Sequence, residues 1–196
     1  MVFKPFRREL EHGAAAYLVP GNAVATQNLA SQLSPLEAAY RLRSLIQAAR
    51  GGHLNVIEAF LANGSTISEL DRGCVVAEAA GGGHRNVIEA LLANGATIDK
   101  NSRGRAVTEA AKGGRLEIVI ALLANGSSVF DGSTITEIDR GYAVVEAARG
   151  GYLEIVRALL ENGPIDKKIR RYVLSQAAHE GHLKVIEALV DLAKID

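Results

Sequence analysis

The chain has 196 residues, of which 48% are hydrophobic and 22% charged, a balance typical of a globular protein rather than a disordered one. Its 22 basic and 22 acidic residues cancel, so it lacks the excess positive charge that attracts phosphate backbones, and a nucleic-acid partner is disfavoured. Aromatic residues make up only 5%, with no Trp, which favours closely packed helices over a sheet sandwich.

Cysteine content and hydropathy limit the cellular location. Cys74 is the only cysteine, which excludes an internal disulfide and any cysteine-rich metal site and fits a reducing, cytoplasmic compartment. No segment approaches the ~18 consecutive apolar residues of a membrane span, and residues 1–10 are not followed by the apolar core of a signal peptide. We therefore expect a protein that is neither membrane-spanning nor secreted by such a signal.

Residues 1–39 differ in pattern from the rest of the chain, and we predict that they form an N-terminal extension or cap. The segment Ser34-Pro35-Leu36-Glu37 is a helix start, with Ser as the cap, Pro in the first turn and Glu completing a capping box. A helix should run from there into the following residues. A disordered tail over residues 1–12 is the alternative for the very start.

From about residue 40 the sequence repeats itself. An Ala-Ala pair recurs at steps of 31, 31, 37 and 30 residues, counted between first members. The pairs are Ala48-Ala49, Ala79-Ala80, Ala110-Ala111, Ala147-Ala148 and Ala177-Ala178. A glycine turn follows each pair, and then an apolar run such as Val87, Ile88, Leu91 and Leu92, whose spacing predicts a helix.

An Asn-Gly dipeptide ends each of the first four apolar runs, at Asn63-Gly64, Asn94-Gly95, Asn125-Gly126 and Asn162-Gly163. We expect its glycine to adopt the left-handed conformation that caps a helix. Each unit is thus predicted as helix, tight turn, helix, loop. Helices of fewer than ~12 residues are marginal alone, so the units must stack on one another.

The step of 37 residues reflects an insertion. The segment from Gly64 to Gly73 returns almost unchanged as Gly132 to Gly141, preceded by six additional residues, Gly126 to Asp131. An insertion in an inter-repeat loop leaves the stack intact and lengthens one projection. We expect the loop around Phe130 to stand out from the surface.

These motifs resemble the ankyrin repeat family, in which Ala-Ala, two residues, Gly-His-Leu, an Ile/Val-Val pair, Leu-Leu and Gly-Ala follow in order. Residues 48–54, Ala-Ala-Arg-Gly-Gly-His-Leu, show the pattern, as do Gly83-His84 with residues 90–96, and Gly181-His182-Leu183. The resemblance covers residues 40–196 and implies an all-α, helix-turn-helix solenoid of five repeats. Their approximate limits are 40–71, 72–102, 103–139, 140–169 and 170–196.

The sequence departs from that family in three respects. The Thr-Pro-Leu-His signature of the first helix is replaced by segments starting at Cys74, Arg105, Tyr142 and Tyr172, so we expect a less tightly specified helix start. Most inter-repeat segments are too short for the family's β-hairpin fingers, so loops are expected instead. Glutamine or glutamate precedes every Ala-Ala pair where the family has an apolar residue, and the sequence suggests no role for it.

Five arginines form a ladder, each seven residues before its Ala-Ala pair: Arg41, Arg72, Arg103, Arg140 and Arg170. Guanidinium groups in a row could bind phosphate or an acidic surface through bidentate bonds. The alternative is an internal role, in which they pair with Asp71, Asp139 and the glutamates Glu78, Glu109 and Glu146. The second interpretation is favoured because charges of both signs are interleaved.

A second set of positions follows each Ala-Ala pair directly and contains Arg50, Gly81, Lys112, Arg149 and His179. The family resemblance implies that these positions line a concave face where partner proteins bind. We therefore take Arg50, Lys112, Arg149, His179 and Phe130 as candidate partner-binding residues, with an acidic partner surface as the leading hypothesis. A merely solvated face is the alternative.

Catalysis and metal binding have weak support. His179 and His182 lack an evident third ligand, so no metal is predicted. The glycine pairs lack the Lys-Ser/Thr of a phosphate-binding loop, and no nucleophile, base and orienting residue stand out, so no catalytic residue or cofactor is predicted.

The sequence thus predicts a monomeric, non-enzymatic module that binds another protein. Two alternatives remain: nucleic-acid or phosphate binding through the arginine ladder, and an enzyme that uses residues 1–39. The resemblance fits scaffolds and adaptors, and also effectors that bacteria deliver into host cells, toward which the degenerate repeats lean.

Overall fold

The computed structural model describes residues 39–62, 67–93, 96–124 and 135–192. The chain divides into two compact units, Met1–Leu42 and Arg43–Asp196. Only residues 39–42 of the first unit are described, so the predicted helix start at Ser34 and nearly all of the predicted N-terminal cap lie outside the described residues. The loop around Phe130, in the second unit, also lies outside them. The helical stack belongs to the second unit.

The described residues form ten helices, which we number α1 to α10 in chain order. They are α1 (39–50), α2 (Leu54–Ala62), α3 (Glu69–Gly82), α4 (Arg85–Leu91), α5 (Lys100–Lys112), α6 (Leu116–Leu123), α7 (Glu137–Arg149), α8 (Leu153–Glu161), α9 (Lys167–His179) and α10 (Leu183–Leu192). The loop residues that are described contain no strand. None of these helices is both long and apolar enough to cross a membrane.

The odd-numbered helices are the first helices of the repeats. From α3 to α9, each of them packs against the first helix of the next repeat. Each of them also packs against the second helix of its own repeat. The Ala-Ala pairs lie at these contacts: Ala79, Ala80, Ala110, Ala111, Ala147 and Ala148 are fully buried. Small side chains allow this close approach, while Val and Leu from the second helices fill the remaining core. The predicted all-α, helix-turn-helix solenoid is confirmed.

The starts of the first helices are well specified, contrary to our expectation. The side chains of Ser68, Asp99, Thr136 and Asp166 each accept a hydrogen bond from a backbone N–H of the first turn. A side-chain oxygen at this position satisfies a donor that the helix itself cannot pair. Capping residues therefore replace the missing Thr-Pro-Leu-His signature.

The left-handed glycines occur at the turns inside the repeats, and not at the one Asn-Gly stop that the structure describes. Gly52, Gly83, Gly114, Gly151 and Gly181 have φ between 70° and 89°. Gly163, by contrast, does not adopt positive φ, so the predicted left-handed cap is wrong there. A Cβ at Gly163 would lie 2.8 Å from the guanidinium of Arg140. The glycine is therefore explained by the close approach of Arg140 rather than by its backbone conformation. The other three Asn-Gly pairs lie outside the described residues.

Candidate functional site

The arginine ladder points into the protein at its three central positions. Arg103 is only 2% exposed, and it donates from Nε to the carbonyl of Leu122 at 2.7 Å and from Nη2 to that of Ala124 at 3.3 Å. Arg140 is 8% exposed and donates to the carbonyl of Pro164 at 2.9 Å. These carbonyls lie at or just beyond the end of the second helix of the same repeat.

Arg72 donates from Nη1 to the carbonyl of Thr97 at 3.0 Å, in the loop that follows its repeat, and from Nη2 to that of Ile67 at 3.1 Å, just before α3. A cation at the C-terminal end of a helix satisfies carbonyls that have no partner in the helix and interacts favourably with the helix dipole. The arginines therefore fasten the two helices of a repeat and the following loop.

At its three central positions the ladder makes contacts within the protein. The hydrogen bonds described above for Arg72, Arg103 and Arg140 go to main-chain carbonyls rather than to Asp71, Asp139 or the glutamates named from the sequence. Asp71 and Asp139 instead accept from the hydroxyls of the capping residues, at 2.7 and 2.6 Å. Burial leaves Arg103 and Arg140 little surface for a phosphate. Arg41 is exposed and Arg170 is half-buried.

The glutamates before the Ala-Ala pairs face the cations that follow those pairs. Glu78 accepts from Arg50 at 2.8 Å, Glu109 lies 3.9 Å from Lys112, and Glu146 lies 3.3 Å from Arg149. The three carboxylates are 17%, 33% and 26% exposed, while their cations are 50–62% exposed. The exposed side of the first helices, here called the first-helix face, thus carries alternating charges rather than a uniformly basic strip.

The first-helix face has a polar concavity over its early repeats. It measures about 320 Å³ and is lined by Arg50, Glu78, Gly81, Gly82, Glu109, Lys112 and Gly113. Gly81 occupies the register of the exposed cations, so the absence of a side chain there leaves space between Arg50 and Lys112. Three of the predicted binding residues, Arg50, Lys112 and Arg149, therefore lie on one face, and His179 is exposed in the same register. Phe130 is outside the described residues.

A second concavity lies between α7 and α9, and sequence reasoning did not identify it. It measures about 440 Å³ and is lined by Ile138, Gly141, Tyr142, Val145, Glu146, Arg149, Lys168, Ile169 and Tyr172. We call it the tyrosine groove. Tyr142 and Tyr172 occupy the register filled by Cys74 and Arg105 in earlier repeats, so the change of residue type along that register was the signal available in the sequence.

The histidine positions of the turns contact the preceding repeat. Nε2 of His84 lies 3.0 Å from the carbonyl of Arg50, and Nε2 of His182 lies 2.9 Å from that of Arg149. Arg115 occupies the same register, with Nε 3.4 Å from the carbonyl of Gly81. His182 is therefore placed in a turn contact. Within the described ranges, no three His, Cys, Asp or Glu side chains converge as a metal site would require.

One carboxylate has a clearly lowered pKa, and its surroundings explain this structurally. Hydrogen bonds from the hydroxyl and backbone N–H of Ser102, with a further one from the Asn101 N–H, lower the pKa of Asp99. These groups constitute the cap of α5. The shift therefore reflects a stabilised helix start and gives no support to acid–base catalysis.

Comparison with known proteins identifies the repeats. Residues 45–132 match the family model described as ankyrin repeats, in three copies. No curated protein matches the chain. Ankyrin repeats are generally protein–protein interaction modules and are typically non-enzymatic. Residues 45–132 are thus ankyrin repeats, and the helical stack that contains them is consistent with an ankyrin repeat protein.

Proposed function

We propose that this chain binds a partner protein through its first-helix face, with Arg50, Lys112, Arg149 and His179 in contact and the loop around Phe130 contributing. The observation that carries this proposal is the row of cations that are 50–62% exposed beside two concavities on the same face. Residues 1–39 are proposed as an N-terminal extension outside the five repeats. We further propose that the protein acts as a monomer in the cytoplasm.

The ion pairs on this face are compatible with binding an acidic surface. Exposed pairs of this kind contribute about 0–1 kcal/mol each, so a partner carboxylate can replace the intramolecular glutamate with little loss of stability. Charges at the rim of an interface mainly accelerate association and exclude wrong partners. We therefore expect an acidic partner whose association slows as salt concentration rises.

The test is affinity capture from cell lysate with three versions of the full chain. The first is the wild type, and the second carries Arg50→Ala, Lys112→Ala and Arg149→Ala. The third is a matched control with Arg85→Ala, Arg157→Ala and Lys184→Ala, which removes three exposed cations from second helices. A partner retained by the wild type and the control but lost by the first triple variant supports the proposal; equal retention by all three contradicts the assigned face.

The contribution of the Phe130 loop needs its own variant. Phe130→Ala should weaken capture of the same partner, because an aromatic side chain is a frequent anchor at protein interfaces. Unchanged capture would restrict the binding surface to the first-helix face.

A further inference from the structure

The tyrosine groove is formed by two neighbouring first helices that approach each other closely. A Cβ at Gly141 would lie 2.7 Å from Cδ1 of Ile169, so α7 and α9 meet at this glycine without room for a side chain. Tyr142 from α7 and Tyr172 from α9 both line the groove. The groove is thus part of the packed stack and does not depend on a loop.

Its lining is unusually apolar for an exposed surface. Ile138, Tyr142 and Tyr172 are 65%, 63% and 55% exposed, and Val145 and Ile169 line the groove beside them. Tyrosine is enriched at interface hot spots because it combines a large apolar ring with a hydrogen-bonding hydroxyl and few rotatable bonds. These positions offer a site for one large apolar side chain of a partner.

The charges around the groove favour an acidic occupant. Helix α9 contains Lys167, Lys168, Arg170 and Arg171 and no acidic residue. Arg149, Glu146 and Lys168 line the groove, and because Arg149 pairs with Glu146 at 3.3 Å, Lys168 supplies the excess of positive charge there. This local excess of positive charge contrasts with the paired charges around Arg50 and complements a peptide that carries carboxylates beside its apolar anchor.

A single-stranded nucleic acid fits the same features less well. Tyrosine rings can stack on bases, but such sites also need a run of cations that follows the phosphate backbone. Here Glu146 lines the groove, and the remaining lining side chains, Ile138, Val145 and Ile169, are aliphatic and make no polar contact with phosphate. The lining therefore matches a peptide better than a polyphosphate chain.

We propose that the tyrosine groove binds a short acidic peptide segment of the partner protein, with a large apolar side chain between Tyr142 and Tyr172 and a carboxylate paired with Lys168 or Arg149. This inference rests on the proposed function, because it names the chemistry of the partner bound by the first-helix face. It assigns the main anchor to the fourth and fifth repeats rather than to the polar concavity beside Arg50.

The first experiment selects ligands for the full chain from a displayed library of random 16-residue peptides. Enrichment of peptides with Asp or Glu beside Leu, Phe or Trp is expected. A synthetic copy of the most enriched peptide should bind the double variant Tyr142→Ala, Tyr172→Ala at least about tenfold more weakly than the wild type. The control Ile120→Ala, Val190→Ala removes two exposed apolar side chains from second helices and should bind it as the wild type does.

A charge reversal keeps the test valid if the double tyrosine variant folds poorly. Lys168 is exposed, so Lys168→Glu should leave the circular dichroism spectrum unchanged. It should weaken binding of the acidic peptide several-fold. No enrichment, enrichment of peptides without acidic residues, or equal binding by the tyrosine and control variants would overturn the proposal. Selective binding of a fluorescent 20-nucleotide oligouridine, lost in the tyrosine variant, would assign the groove to RNA instead and also overturn it.

Capture from lysate separates this inference from the proposed function. A partner lost by an Arg50→Ala, Lys112→Ala variant but retained by the double tyrosine variant would contradict the tyrosine groove and leave the first-helix face as the binding surface. A partner retained by both variants would contradict both proposals.

Discussion

At the scale of single residues, Arg103 is the clearest case of a charged side chain used to hold the fold together. It is buried and bonds two carbonyls at the end of the second helix of its repeat. Arg103→Met keeps much of the volume but leaves these carbonyls without their donors. Because a buried unsatisfied polar group costs about 1–3 kcal/mol, we expect a loss of about 2–4 kcal/mol in the free energy of unfolding, measured by urea denaturation.

Arg157→Met is the matched control for this prediction, since Arg157 is exposed on α8. It should change the free energy of unfolding by no more than about 0.5 kcal/mol, as expected for a surface substitution. Equal effects at the two positions would show that the carbonyl bonds of Arg103 add nothing to stability.

Asp99 links the stability of α5 to pH. Because the folded pKa of Asp99 is lowered, its ionised form stabilises the fold above the unfolded value of about 3.9, and this contribution is lost as pH falls through the folded pKa. Asp99→Ala removes the cap and should destabilise the protein by about 1 kcal/mol at pH 7. Urea denaturation at pH 7 and pH 3 should show the difference between wild type and variant shrinking at the lower pH.

Asp99→Asn provides the control, because asparagine caps a helix as well as aspartate but does not titrate. Its stability relative to the wild type should improve as the pH is lowered from 7 to 3. A constant difference across that range would show that hydrogen bonding by ionised Asp99 does not contribute to folding.

At the scale of helices and turns, substitution by alanine should change the stability of the protein in opposite directions at Gly81 and Gly83. Gly83 has φ of 89°, a conformation that costs an L-residue about 1–2 kcal/mol, so Gly83→Ala should lower the melting temperature. Gly81 lies inside α3, and an added Cβ would make only ordinary contacts of 3.5 Å or more with Glu109. Gly81→Ala should therefore raise stability by up to about 1 kcal/mol through helix propensity. Thermal denaturation of both variants checks the pair, and a change of the same sign in both would contradict it.

The elements were largely predictable from the sequence, because their signals are local. The Ala-Ala pairs and glycine turns recur at nearly constant spacing, and closely packed helices need small residues at those positions. The wrong prediction at Gly163 has a different origin: that glycine makes room for Arg140, which lies 23 residues earlier in the chain. Sequence spacing does not show which distant side chain occupies such a space.

The candidate site was less predictable for the same reason. The exposed register of Arg50, Lys112 and Arg149 follows from the repeat, and Glu109 and Glu146 each lie three residues before their cation on the same helix. The partner of Arg50, Glu78 of the next repeat, becomes clear only when the helices are stacked. The tyrosine groove needs α7 and α9 side by side, so that Tyr142 and Tyr172, 30 residues apart, form one surface. A contact between repeats is a property of the stack rather than of any single segment.

At the scale of the whole molecule, the stack is not equally well buried along its length. Seven residues of α5 and six of α7 are buried, whereas in α9 only Val173 and Ala177 are. In a solenoid each repeat contacts only its neighbours, so a weakly buried repeat can open while the others stay folded. We therefore expect amide hydrogens of α9 and α10 to exchange at least about tenfold faster than those of α5 to α8.

Hydrogen exchange with mass spectrometry tests this gradient, and a core substitution makes the test specific. Val173 is fully buried, and Val173→Ala should remove about 1–3 kcal/mol from the local stability. If the repeats open separately, exchange should accelerate over Lys167–Leu192 and remain unchanged over Lys100–Leu123. The matched variant Val107→Ala, at an equally buried position in α5, should instead accelerate exchange over Lys100–Leu123 and leave Lys167–Leu192 nearly unchanged, because the last repeat opens separately. Acceleration throughout the chain by Val173→Ala would instead show that the described repeats unfold as a single cooperative unit.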